Sequence, residues 1–459
     1  MSQPKIKQKR KRKKLVAGLP EQLQSVNLHA AGIDIGAEEH LVAVPPGSAE
    51  VPVQRFSTFT ASLELLADWL EECGVTTVVM ESTGVYWIPL YELLERRGFE
   101  VKLVDARHVK NVSGRKSDVL DCQWLQQLHT YGLLSAAFRP PDEICVLRSY
   151  LRQKEMLTQA SSQHIQHMQK ALRQMNVLLD RVVSDITGAT GMKIIKHIIQ
   201  GERSPEVLAR HRHATCKRSE AEIAAALHGN YRDEHLFALR QACELYETYQ
   251  QKIADCEAAT VQQLGTYPNA TKGPTPPPAK PSNRSARIRS DVDIREMIFQ
   301  KTGVDLFALP GMGADTLLTI LSEIGFDLRP WKTVQHFTSG LGLCPDTRIS
   351  GGRKLTPKHK RKINRAAQAF RIAAVTLHRS PTALGAFFRR VKMRTGSIQA
   401  ITATAHKLAR IFYGVMTGGT PYFEVGQQAY EERFRERSIA QLERKAKSLG
   451  LQLVPATVS

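Results

Sequence analysis

The sequence predicts an α/β domain followed by a long helical region and a mostly helical, strongly basic C-terminal domain. Three observations point there: β-type and helical runs alternate from residue 29 to 139, heptad-spaced apolar residues begin at Ile144, and a long C-terminal stretch lacks acids. At 459 residues the chain exceeds the roughly 250 at which a single core stops growing, so two or three domains are expected. No run approaches the ~20 apolar residues of a membrane span, which predicts a soluble protein with no membrane partner.

Taken in order, residues 1–22 form a basic tail, with eight Lys or Arg and no acid among the first 20. No apolar segment follows in the manner of a secretory signal. Residues 23–139 make the α/β domain. HAAGIDIG and EHLVAVPP read as strands able to pair as a hairpin, followed by VQRFSTF, the buried VTTVVME and FEVKLVDA, with helices at roughly 61–72, 87–97 and 117–131. Residues 140–266 are helical: Ile144, Leu147, Leu151, Lys154, Thr158, Ser161, Ile165, Met168, Leu172, Met175, Leu179, Val182 and Ile186 alternate steps of three and four, predicting a coiled coil with three polar residues in its seam. A second helical stretch, about 232–264, is a partner for it within the chain or between chains. Residues 267–290 are a proline-rich linker, 291–425 a C-terminal domain, and 426–459 a charged helical tail.

The formal charge of +20 is concentrated: Thr347 to Phe423 holds sixteen Lys or Arg and no Asp or Glu. A polyanionic partner follows, because each neutralised phosphate releases a counterion. Seven scattered cysteines without a CxxC pair predict a reducing, intracellular compartment. His211, His213 and Cys216 lack a second ligand pair, so no zinc site is predicted.

Four acids sit where metal chemistry wants them. Asp34 lies inside an apolar strand, Glu81 ends another, and Asp118 and Asp121 are three residues apart on a helix, hence on one face. Converged, they suit a pair of Mg²⁺ ions about 3.5 to 4 Å apart, an arrangement for phosphodiester transfer. Taken singly each is better read as a strand-end or first-turn acid on the surface, and only jointly, on an RNase H-like strand order, do they favour the metal site. In the C-terminal half, ALPGMGADTLLTILSEIG resembles a helix-hairpin-helix, with Gly311 and Gly313 opening a helix N-terminus to phosphate; an ordinary helical hairpin is the alternative. Ser350 precedes two glycines and is flanked by Arg348, Arg353 and Lys354, cations able to hold a phosphate, and Lys358, Lys360, Arg361, Lys362 and Arg365 extend the same basic segment. A basic loop that contacts phosphate without chemistry is the competing reading.

GIDIGAEEH, MESTGVYW and VDARHVKNVSGRKSDVLDCQWLQQLHTYGLL together resemble the DEDD domain of the IS110 family of transposases, a RuvC-like, RNase H-type fold. FTSGLGLCPDTRISGGRKLTPKHKRKINRAAQAFRIAA is similar to that family's C-terminal transposase domain. The resemblance implies that Asp34, Glu81, Asp118 and Asp121 are the metal-binding acids and Ser350 the nucleophile that joins covalently to DNA. Ser339 is the rival serine, assigned by the resemblance to a packing position. Asp105 departs from the Asn-Pro often found there in the family, which touches none of the four acids. Also implied are Mg²⁺, donor and target DNA, a structured guide RNA, a homo-oligomer (dimer or tetramer) in which one protomer's acids complete another's serine site, and a cytoplasmic, nucleoid-associated location. A junction-resolving nuclease that uses the acids alone, and a non-enzymatic nucleic-acid scaffold, are the alternatives.

Overall fold

The computed structural model describes residues 27–82, 84–104, 118–134, 136–271, 273, 293–344, 348–350, 353–355, 364–418 and 421–454, the side chains of 118–120, 348–350 and 353–355 excepted. The chain divides into two compact units, Met1–Arg139 and Pro140–Ser459.

The first unit is built on a mixed five-stranded sheet. Its strands are β1 (Ala30–Ile35), β2 (Glu39–Ala43), β3 (Val53–Ser57), β4 (Thr77–Glu81) and β5 (Glu100–Val104), in spatial order β3-β2-β1-β4-β5. The first three form an antiparallel meander, and β4 and β5 then add in parallel with β1 through helical crossovers. Alternation along the strands sends Ile33, Ile35, Val78 and Met80 to one face. There they bury against Leu66 and Leu70 of α1 (Thr60–Glu72) and Leu90 and Leu94 of α2 (Trp87–Arg96). The opposite face, carrying Leu41, Val79 and Val104, packs on Cys122 and Leu125 of α3 (Asp118–Thr130). A mixed sheet with helices on both faces fits the expected RuvC-like α/β domain.

In the second unit α4 (Asp142–Gln174), α5 (Leu179–Val182), α6 (Ala189–Ile199), α7 (Pro205–Ala209), α8 (Glu220–Ala226) and α9 (Asp233–Thr266) form the helical region. The 33-residue α4 is about 50 Å long. It lies antiparallel to α9 within the same chain: Tyr267 donates to the Glu143 carbonyl at 2.5 Å, Lys154 pairs with Glu257 at 3.0 Å, and Gln250 donates to Ser161 at 2.8 Å. The heptad expectation is corrected at its far end. The helix stops at Gln174, Asn176 takes a φ of 57°, and Leu179 and Ile186 bury in a small helical cap with Ile194, Ile195 and Ile198. The near end, Ile144 and Leu147, belongs to another core, shared with α10 (Ile294–Thr302), α11 (Ala314–Ile324) and α12 (Val334–Gly340). The hairpin strands β6 (Arg348–Ser350) and β7 (Arg353–Leu355) come next, then α13 (Arg365–Thr376), α14 (Ala383–Thr395), α15 (Ser397–Gly418) and α16 (Gly426–Ser448). Phe337, Phe370 and Phe412, from α12, α13 and α15, are fully buried at the centre of this core.

Among the described residues no helix is long and apolar enough to cross a membrane, and none of the seven cysteines forms a disulfide.

Candidate functional site

Parallel pairing of β1 with β4 sets Gly32 against Val79 and Ile33 against Met80, so the next residues, Asp34 and Glu81, lie at the carboxyl ends of neighbouring central strands, Asp34 one residue before the last of β1 and Glu81 the last of β4. Both are half-buried, and by alternation both occupy the face covered by α3. That helix approaches closely because β1 offers it a glycine: a Cβ on Gly32 would lie 2.3 Å from the Gln126 nitrogen and 2.5 Å from the Cys122 carbonyl oxygen. Its far end is fixed at the start of the strands, where His129 Nε2 meets Thr77 Oγ1 at 2.9 Å and Asn27 donates to the His129 carbonyl at 2.8 Å. The helix therefore runs against β1 and β4, and its first turn, bearing Asp118 and Asp121, comes to the strand ends that carry Asp34 and Glu81.

Asp118 and Asp121 stand one turn before Cys122 and Leu125, the residues that contact the sheet. Burial first, then the negative charge of Asp34 and Asp121, pushes the Cys122 thiol up to about 11. Two carboxylates from different elements thus act on one buried atom. Among the described residues no three ligating side chains gather into a metal-binding group, and the Asp118 side chain is outside them. The four acids expected from sequence would offer carboxylate oxygen alone, the donor type that hard divalent cations take.

In the second unit the hairpin register sets Ser350 opposite Arg353, Ile349 opposite Lys354, and Arg348 opposite Leu355. Arg353 and Arg348 are therefore in step with Ser350, whereas Lys354 is out of step by one residue. Two segments match known family models: residues 31–177 match the DEDD transposase of IS110, described as a transposase, and residues 305–387 match the transposase IS116/IS110/IS902 family. They fall in order and together cover half the chain. The chain belongs to the IS110 family of transposases. It is an enzyme that acts on DNA. No curated protein matches it.

Other expected site residues of this IS110-family transposase lie in different surroundings. Gly311 has a φ of 82°, and a Cβ there would meet the Ala373 carbonyl at 2.8 Å and Thr376 Oγ1 at 3.0 Å, so its missing side chain admits α13. Gly313 is the N-cap of α11, but Asp315 occupies that first turn and pairs with Lys154 at 2.9 Å. An acid there opposes a phosphate, which favours the ordinary helical hairpin over a phosphate-binding turn. Arg365 pairs with Glu155 at the start of α13. Lys358, Lys360, Arg361 and Lys362 lie outside the described residues. Ser339 is exposed at the end of α12 while Phe337 and Thr338 are buried, so the packing position assigned to that serine belongs to its neighbours. Sequence reasoning passed over Gly32 and His129, which set the position of α3; the small residue two before a strand acid was the available signal.

Proposed function

We propose that this transposase cuts and rejoins DNA through a site in which Asp34, Glu81, Asp118 and Asp121 hold divalent metal, Mg²⁺ by the character of the donors, and in which Ser350 is the nucleophile. The observation that carries the reading is the delivery of Asp34, Glu81 and the first turn of α3 to one end of the sheet. Carboxylates brought to one end of the sheet would repel one another at close range, so a cation bound among them would relieve that repulsion. Bound metal would supply charge stabilisation for the attacking and departing oxygens.

In the proposed step the Ser350 oxygen attacks phosphorus, loses its proton, and forms a phosphoserine ester as the bond to one deoxyribose oxygen breaks; that oxygen takes up a proton. The phosphodiester energy is conserved, so an incoming hydroxyl can reverse the step with a different strand. Arg353 and Arg348, in step with Ser350, are the cations assigned to the phosphate and its extra charge in the transition state. A structured guide RNA, a dimer or tetramer whose protomers share sites, and action at the nucleoid in the cytoplasm complete the proposal on the strength of the family.

Full-length Asp34→Asn and Asp121→Asn proteins test it. Each is expected to keep wild-type DNA affinity and a thermal midpoint equal to or above wild type without Mg²⁺, because a repulsion is removed, while strand transfer is abolished. Full recombination by Asp121→Asn would remove that acid from the site.

A further inference from the structure

The segment entering α12 and one side of α15 enclose an open groove of about 650 Å³. Lys407, Arg410, Gly414 and Thr417 recur along α15 at steps of three and four and so share one helix face, opposite Lys332 and Gln335. The two walls are joined where the Tyr413 hydroxyl donates to the Trp331 carbonyl at 2.7 Å. Nothing lies within 4 Å of a Cβ built on Gly414, which leaves the floor open.

The charges here are held together without acids. The Lys407 ammonium lies 4.4 Å from the Phe387 ring centre and 5.2 Å from that of Tyr430, while the Arg390 guanidinium lies 3.8 Å from Phe434 and 5.1 Å from the same Tyr430. Rings from α14 and α16 thus fix two cations beside each other at the groove's edge. Among the described residues, none of Lys332, Arg390, Lys407, Arg410 and Arg437 has a carboxylate within 4.0 Å. Burial, then the charges of Arg390, Arg410 and Arg437, lowers the Lys407 pKa. A protein that gathers like charges and leaves them uncompensated gains when an anion arrives.

We infer that this groove is a second nucleic-acid contact, in which Lys332, Lys407 and Arg410 grip the phosphodiester backbone of a strand lying along α15. The cations come from two elements and line a space too large for one phosphate to fill, which favours an extended polyanion over a single anion. The inference rests on the chain's action on nucleic acid and adds a site beyond the Ser350 hairpin.

The test uses full-length protein and three labelled probes: a short DNA duplex, one of its single strands, and an RNA hairpin, each titrated over a series of salt concentrations. Lys407→Gln combined with Arg410→Gln removes two charges; Gly414→Leu fills the floor and removes none. The double variant is expected to lose about two from the slope of log affinity against log salt and roughly tenfold in affinity for the probe that occupies the groove. Gly414→Leu should weaken the same probe with nearly the full slope. Both should keep the wild-type circular dichroism spectrum, which separates the loss from misfolding. The probe that suffers most identifies DNA or RNA as the occupant. Wild-type affinity and slope in both variants for all three probes would overturn the inference and leave the acid site untouched. If the wild-type protein binds none of the probes, both the inference and the proposed function fall.

Discussion

Gly32 governs how near the helix bearing two acids comes to the strand bearing a third. A methyl group there would press on the backbone of Gln126 and Cys122, so Gly32→Ala must push α3 outward. Overpacking of this kind costs about 3 kcal/mol and would also displace Asp118 and Asp121 from the strand ends. The expected result is a lowered thermal midpoint together with strand transfer reduced more than DNA binding; unchanged stability would contradict the close approach. His129 fixes the other end of the same helix. Burial first, then the charge of Lys102, lowers its pKa to about 4 from the ordinary 6.5. The folded chain refuses a proton that the unfolded chain accepts between those values, so stability is full above pH 6.5 and falls as pH drops toward 4. The loss is on the order of 3 kcal/mol. Thermal unfolding at pH 4.5 and 7.5 checks this: the gap between midpoints should narrow in His129→Gln, and an identical gap would remove His129 as its cause.

Lys154 shows at the level of elements how the long helix pair is held. Burial works to lower the Lys154 pKa, but Asp315 and Glu257 outweigh it, and the pKa is raised. Glu257 is 7% exposed, so Lys154→Met would take a cation from a buried carboxylate, costing about 3 kcal/mol. Urea unfolding of the variant should shift to lower concentration, and Lys154→Met combined with Glu257→Leu should recover most of the shift; no recovery would place the cost elsewhere. The sequence showed Lys154 in the seam but not its partner, since a contact between residues 154 and 257 has no local signature. The five strands and three helices described in the first unit were legible because alternation and turn residues are local signals. The end of α4 was hidden for the opposite reason: the apolar spacing runs on through Leu179 and Ile186 although the backbone turns at Asn176. Gly311 shows the same limit, as the residue type is visible in sequence and the helix that requires it is 60 residues away. At the acid site the residue types and spacing were legible, whereas the end of the sheet at which α3 delivers its first turn depended on Gly32, Thr77 and His129 acting together.

On the scale of the whole molecule, the acids lie in the first unit and the serine hairpin in the second, and the proposed chemistry needs both. A cut made by the proposed acid site alone would leave no bond between protein and DNA, and binding by the basic segment alone would leave no cut. A covalent bond through Ser350 is the outcome that separates this mechanism from either half acting by itself. The most direct measurement incubates full-length protein and Mg²⁺ with labelled DNA carrying the element's own flanks, with and without RNA transcribed from those flanks, resolves the products on a denaturing gel, and maps any DNA-linked peptide by mass after proteolysis. The expected product is a linked band whose peptide carries the nucleotide on Ser350, absent in Ser350→Ala although that variant still binds DNA. DNA cut by the wild-type protein with no serine linked to it would contradict the account.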